Sequence, residues 1–217
     1  MHYNKTMNEA YKVCVEGGSG ETELKKSRFI AHVAPVKSEE EAVSFVNSIK
    51  KEYYDARHNC YAYVIGKNSD KVKYSDDGEP QQTAGLPIFN VIKEAKVTDV
   101  CIVVTRYFGG TLLGAGPLAR MYVEAASLGL KNSKIGTMRY GAEIKIEADY
   151  KNAEIIKRYI EKEEITLNNI YYANNVCMYI RVDFNDVEKV REDLVSLTNS
   201  KMDFSKISDA YFIDMKT

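Results

Sequence analysis

Residues able to do chemistry gather in two segments, YSDDGEPQQTAG at Tyr74–Gly85 and RYFGGTLLGAGPLAR at Arg106–Arg120. In the second, an apolar run ends at Arg106. Gly109, Gly110, Gly114 and Gly116 then let the backbone turn tightly and approach a ligand closely. Pro117 opens a helix whose unpaired N–H groups and dipole attract an anion, and Arg106 and Arg120 add positive charge. The segment predicts contact with a phosphate, a nucleic acid or a partner protein. The bland alternative is a tight loop packed on another element. No G-K-[ST] follows the glycines, which excludes a Walker loop. Gly114, Gly116 and Ala119 match G-x-G-x-x-A, but Phe108–Leu113 separate that match from the strand, against a dinucleotide site.

In the first segment Asp76, Asp77 and Glu79 sit beside Gly78 and Pro80. Neighbouring carboxylates hold a magnesium ion or serve as acid and base, yet D-G and E-P are equally turn dipeptides. Gln82 and Thr83 extend a row of hydrogen-bonding groups, so a turn that lines a pocket is expected. Upstream, DARHNC supplies Asp55, Arg57, His58 and Cys60. His58 and Cys60 share a strand face and could pair as imidazole and thiol, although a buried strand cysteine beside a histidine is the more ordinary arrangement. The catalytic candidates are thus Asp76, Asp77, Glu79 and His58. The candidates for anion, nucleic-acid or partner binding are Arg57, Arg106, Gly109, Gly110, Gly114, Gly116, Arg120, Gln82 and Thr83. Only Asp76 and Asp77 suggest a metal, and no cofactor is expected.

The elements that must position these residues follow from periodicity. Tyr11–Glu16 and Arg28–Val36 read as strands flanking a glycine turn at Gly17, Gly18 and Gly20. Ser38 and Glu41 form a capping box ahead of a helix face of Ala42, Val46, Ile49 and Tyr53. Asn59–Ile65 and Val72–Tyr74 suit strands, and Thr83 is placed to cap a helix over Leu86–Lys93. Val100–Tyr107 is a near-continuous apolar run, hence a buried strand, and Pro117–Leu130 a helix. This part predicts two α/β layers, strands on one side and helices on the other. Further on, Ala142–Ala148 alternates as a strand, and Ala153, Ile156 and Ile160 repeat at helical spacing. Thr166–Tyr172 and Cys177–Asp183 read as a hairpin turning at Asn174-Asn175, Val187 to Leu197 as a helix, and Phe204–Met215 as a last strand. The order is β-α-β-β-α-β, the ferredoxin-like pattern.

All 13 glycines and all 4 prolines of the 217 residues lie before residue 142, a composition shift that marks a domain boundary near Asn132–Met138. The net charge of −1 excludes a strongly basic nucleic-acid binder. Residues 1–138 carry 18 basic and 16 acidic side chains and the remainder 12 and 15, so any RNA contact is expected on the first part. The cysteines, Cys14, Cys60, Cys101 and Cys177, are isolated in sequence and read as reduced, mostly buried thiols. No run of eighteen apolar residues exists and Met1–Asn8 lacks an apolar signal core, so a cytoplasmic protein without a membrane span is expected.

The strings DARHNCYAYVIG, YSDDGEPQQTAGLPIFNVI and VVTRYFGGTLLGAGPLARMY resemble the signature of the IMPACT family, also called the YigZ or YvyE family, across residues 15–130. The remainder resembles the small C-terminal domain of bacterial members. The resemblance implies an α+β protein of two domains. Residues 1–134 would resemble the second domain of a small-subunit ribosomal protein, and residues 138–217 the fifth domain of elongation factor G, a ferredoxin-like βαββαβ module. Eukaryotic members act in translational control, competing for the activator of a stress kinase; the partner-binding domain they use has no counterpart in this sequence. The resemblance therefore implies a ribosome, RNA or translation-factor partner, with no membrane and no DNA, and transfers no catalytic residue. The motif positions matched are Asp55, Arg57, His58, Asp76, Asp77, Gly78, Glu79, Pro80, Thr83, Gly85, Arg106, Tyr107, Gly109, Gly110, Leu113, Gly114, Gly116 and Arg120. An enzyme acting on a phosphorylated small molecule at the same loop is the alternative.

Overall fold

The computed structural model describes residues 9–214. Met1–Asn8 and Met215, on which the signal-peptide reading and the end of the last strand fall, lie outside them. The protein is a mixed α/β chain of two units, residues 11–137 and 138–213. No helix among the described residues is long and apolar enough to cross a membrane.

In the first unit, β1 (Tyr11–Glu16), β2 (Ser19–Leu24) and β3 (Ser27–Pro35) precede α1 (Glu39–Glu52), and β4 (His58–Ile65) and β5 (Lys71–Ser75) precede α2 (Gly85–Ala95). The short β6 (Val97–Thr98), which pairs in parallel with β1, β7 (Val100–Tyr107) and α3 (Ala115–Lys131) follow. Strands β2-β3-β7-β4-β5 form one sheet, antiparallel throughout, with β7 at its centre. Val100, Ile102 and Val104 of β7 pack with Ile88 and Ile92 of α2 and Leu118, Tyr122 and Ala125 of α3. Cys101 and Val103 face the other way and pack with Ala42, Val46 and Ile49 of α1. Two helices thus cover one face as expected, and α1 covers the other. A strand buried on both sides, which is what the apolar run of β7 encodes, needs that second cover.

One local expectation is corrected. The glycine cluster is not the hairpin turn: Ser19–Leu24 is itself a strand, and the chain turns at Lys25 and Lys26, whose φ values are +49° and +64°. Gly20 is there because α3 passes against β2; a Cβ on it would lie 2.6 Å from the backbone nitrogen of Gly129. The two units divide between Thr137 and Met138, within the stretch expected to hold the boundary; that stretch is strand from Lys134, and Ile135, still in the first unit, packs on its core.

In the second unit, β8 (Lys134–Ala148), α4 (Tyr150–Lys162), β9 (Thr166–Tyr172), β10 (Val176–Asp183), α5 (Val187–Thr198) and β11 (Met202–Asp214) follow the ferredoxin-like order. The strands lie β11-β8-β10-β9 across the sheet. Ile144 and Ile146 of β8, Met178 and Ile180 of β10, Ile156 of α4 and Leu194 of α5 share one core.

Candidate functional site

The site is built where β4 begins and β7 ends. These antiparallel strands bring His58 directly opposite Arg106. The β5–α2 connection carries Asp76–Ala84 past that point, and the β7–α3 loop carries Phe108–Gly114. Between them lies a cleft of about 340 Å³ lined by Arg57, His58, Glu79, Arg106, Phe108 and Leu118, among others.

Its floor is a buried ion pair. Arg106 Nη1 donates to Glu79 Oε1 at 2.6 Å, with side chains only 7% and 3% exposed. The hydroxyl of buried Tyr122 donates to the same oxygen at 2.8 Å. The guanidinium also lies 5.3 Å from the Phe29 ring and 5.6 Å from the Phe108 ring. Its Nε is buried without a hydrogen-bond partner. Glu79 Oε2 lies 3.9 Å from His58 Nε2, beyond a hydrogen bond. His58 Nδ1 lies 2.8 Å from the Asp77 carbonyl oxygen. A carbonyl only accepts, so Nδ1 carries the proton and Nε2 of the neutral ring is an acceptor.

The three adjacent carboxylates do three different things. Asp76 accepts from the backbone N–H groups of Gln82, Ala84 and Gly85 at 2.9, 3.0 and 2.8 Å, and so holds the N-terminus of α2. Asp77 accepts from the Asn59 N–H and pairs with Lys50 at 2.5 Å. Only Glu79 reaches the cleft. Asp77 and Gly78 take φ values of +44° and +86°, and this turn sends successive side chains apart. The Asp76 carboxylate is thus taken up by backbone amides, and that of Asp77 by one amide and the Lys50 ammonium. Among the described residues no three His, Cys, Asp or Glu side chains gather as a metal site.

The other sequence candidates fall into place around this. Arg57 is exposed on the rim, 5.7 Å from the Phe108 ring. Gly114 lines the cleft as the N-cap of α3, without a side-chain cap. Gly109 is pressed on the β2–β3 turn: its N–H donates to Ser27 Oγ, and a Cβ would lie 2.2 Å from the Lys26 carbonyl carbon. Gly110 takes φ +87° with open space above it. Thr83 does not cap α2; it is buried and donates to the Pro80 carbonyl, while Asp76 takes the capping role. Gln82 is exposed and contributes its backbone N–H to Asp76. Arg120 is exposed beside the first turn of α3 and is not part of the cleft lining. Gly116 and Arg120 therefore flank the cleft rather than line it.

Sequence reasoning missed Tyr122 and Leu112. Tyr122 sits on the apolar face of α3 with Leu118, Met121 and Ala125, which reads as plain core; the partner of its hydroxyl lies 43 residues away. Leu112 left one signal, a large apolar residue between loop glycines, and it is 85% exposed at the cleft.

The imidazole–thiol pair does not form. Cys60 is fully buried, its Sγ donates to the Asp76 carbonyl, and burial pushes its thiol well above the usual range. Burial likewise pushes Cys14 up to about 11 and Cys101 up to about 12. Titration of the native protein with a thiol reagent at pH 8 is therefore expected to modify Cys177 alone, and all 4 cysteines after denaturation. Rapid native labelling of Cys60 would refute this.

Comparison with known proteins finds two matching family models. The Impact N-terminal domain matches residues 25–130, and a domain of unknown function (DUF1949) matches residues 146–201. The chain is 38% identical over 200 residues to IMPACT family member YvyE of Bacillus subtilis (strain 168), covering 92% of each. It is 32% identical over 186 residues to an IMPACT family member of Haemophilus influenzae, covering 84% of this chain and 89% of that one. A solved structure titled as a hypothetical protein superposes with a TM-score of 0.59 at 28% identity, covering 92% of this chain and 98% of the other.

Proposed function

The chain belongs to the IMPACT family, and from that premise we propose that it is a non-catalytic cytoplasmic factor in translational control that binds RNA through the glycine-loop face of its first unit. The observation that carries this reading is the start of α3. Helix α3 opens at the cleft with no side-chain cap and no acidic residue in its first turn. The positive end of its dipole is left for an anion, with Arg57 on the rim and Arg120 beside it. Phe108, 39% exposed, offers a ring on which a base can stack.

Arg106 is not the residue to remove in a test, because its charge is committed to Glu79. Arg57→Ala/Arg120→Ala removes two exposed charges and leaves the ion pair intact. Co-sedimentation with ribosomes over a salt series is expected to show salt-sensitive binding by the natural chain. In the double variant the slope of log K against log salt should fall by about 1.5, the share of two phosphate contacts. An unchanged slope would sink the assignment to this face.

One observation favours the alternative enzyme. His58 is held by the Asp77 carbonyl with Nε2 available as a base near Glu79. Release of inorganic phosphate from nucleotides or sugar phosphates, lost in His58→Asn, would decide for it.

A further inference from the structure

The cleft has two chemically opposite ends. At its mouth, the first turn of α3 has neither an acid nor a side-chain cap. Arg120, one turn further on, reaches back so far that its Nη1 lies 3.9 Å from where a Cβ on Gly116 would sit. A guanidinium beside the positive end of a helix is unfavourable in isolation and becomes favourable once an anion sits between them. Arg106, 6% exposed in the cleft wall, has its Nε left without a partner. At the inner end lie acceptors: Glu79 Oε2, with no hydrogen bond among the described residues, and His58 Nε2 beside it.

The inner wall is also closed. Glu79, Arg106, Leu113 and Leu118 are 8%, 6%, 9% and 5% exposed, so what enters meets packed protein. The volume, about 340 Å³, is at the small end of ligand pockets. A volume of that order holds about one nucleotide, and only a terminal nucleotide carries a phosphate monoester. Resting on the RNA reading above, we propose that the cleft takes a single terminal nucleotide. Its phosphate monoester lies on the first turn of α3, and a hydrogen-bond donor of its sugar or base meets Glu79 Oε2. A monoester carries about −1.5 to −2 charges at pH 7, more than the single charge of an internal diester, and so draws more from the α3 dipole and from Arg120.

The test uses the full chain and ten-nucleotide single-stranded RNAs bearing a 5′-phosphate, a 3′-phosphate or neither, with AMP and adenosine as competitors. A terminal phosphate is expected to tighten binding at least about tenfold, and AMP is expected to compete where adenosine does not. Gly116→Asp fills the anion position from within: its Cβ meets only Arg120 Nη1, at an ordinary contact of 3.9 Å, and a carboxylate in the first turn suits the helix dipole. The melting temperature of this variant should hold or rise while the terminal-phosphate preference disappears. Equal binding of all three RNAs overturns the end pocket and leaves the RNA reading standing. AMP binding without RNA binding keeps the pocket and overturns the RNA reading. Binding of neither overturns both. A preference that survives in Gly116→Asp overturns the placement on α3.

Discussion

Glu79→Ala is expected to destabilise the first unit by about 3–5 kcal/mol, the cost of leaving a buried charge without its partner. Arg106 is 6% exposed, and among the described residues Glu79 is the carboxylate paired with it; the rings of Phe29 and Phe108 lie beside its guanidinium and carry no charge. Tyr122, fully buried, loses the acceptor for its hydroxyl in the same step. For a unit of this size the loss corresponds to a drop in melting temperature of about 10 °C or more. Glu79→Gln keeps an acceptor for Tyr122 but no charge for Arg106, and should fall between the natural chain and the alanine variant. The ion pair itself contributes little relative to a well-packed apolar pair, so Glu79→Leu/Arg106→Met should recover most of the loss, a coupling read from the double-mutant cycle. A shift under about 3 °C in Glu79→Ala, or a double variant as unstable as the sum of the singles, would show that the guanidinium finds water or another partner.

That prediction marks where the sequence stopped being readable. The elements were legible because each carries a local periodic signal. The apolar run of β7, the capping box before α1 and the alternation of β10 survive in the structure with their ends almost unmoved, while β8 keeps its alternation but begins at Lys134, well before the expected Ala142. The βαββαβ order of the second unit is visible for the same reason. What failed locally were places where a tertiary contact overrides residue type. Gly17, Gly18 and Gly20 look like a turn, but glycine at position 20 answers the close passage of α3, and two lysines make the turn instead. The two-layer expectation missed the cover that β7 needs on its second face, although its unbroken apolar run already implied it.

The site was legible as segments and not as roles. Both chemistry-bearing segments do meet at one cleft. Their residues could not be sorted, because the sorting is done by partners far along the chain: Glu79 by Arg106 and Tyr122, Asp77 by Asn59 and Lys50. Arg106 and Arg57 look alike in sequence, yet one is spent inside and the other stands at the rim. Register decides this, since Arg106 lies opposite both Phe29 and His58.

Asp76 tests the same point from the other side of the turn, and Asp76→Ala is expected to cost about 2–4 kcal/mol. Helix α2 has Ala84 at its N-cap and no acid in its first turn, so the N–H groups at its buried start depend on a carboxylate nine positions before Gly85. That carboxylate accepts three backbone bonds at once, from Gln82, Ala84 and Gly85. Removing it unpins the segment that presents Gly78, Glu79 and Pro80 to the cleft, so ligand affinity should fall together with stability. Asp76→Asn keeps one oxygen for the Ala84 and Gly85 amides but turns a donor toward the Gln82 N–H, and should cost roughly half as much. The readout that separates this from general destabilisation is amide hydrogen exchange. The amides of Ala84 and Gly85 and the first turn of α2 should lose protection in Asp76→Ala, while the central strand β7 exchanges only by global unfolding. Unchanged protection at Ala84 and Gly85 would mean that α2 holds its own start, and that Asp76 is only a turn residue after all.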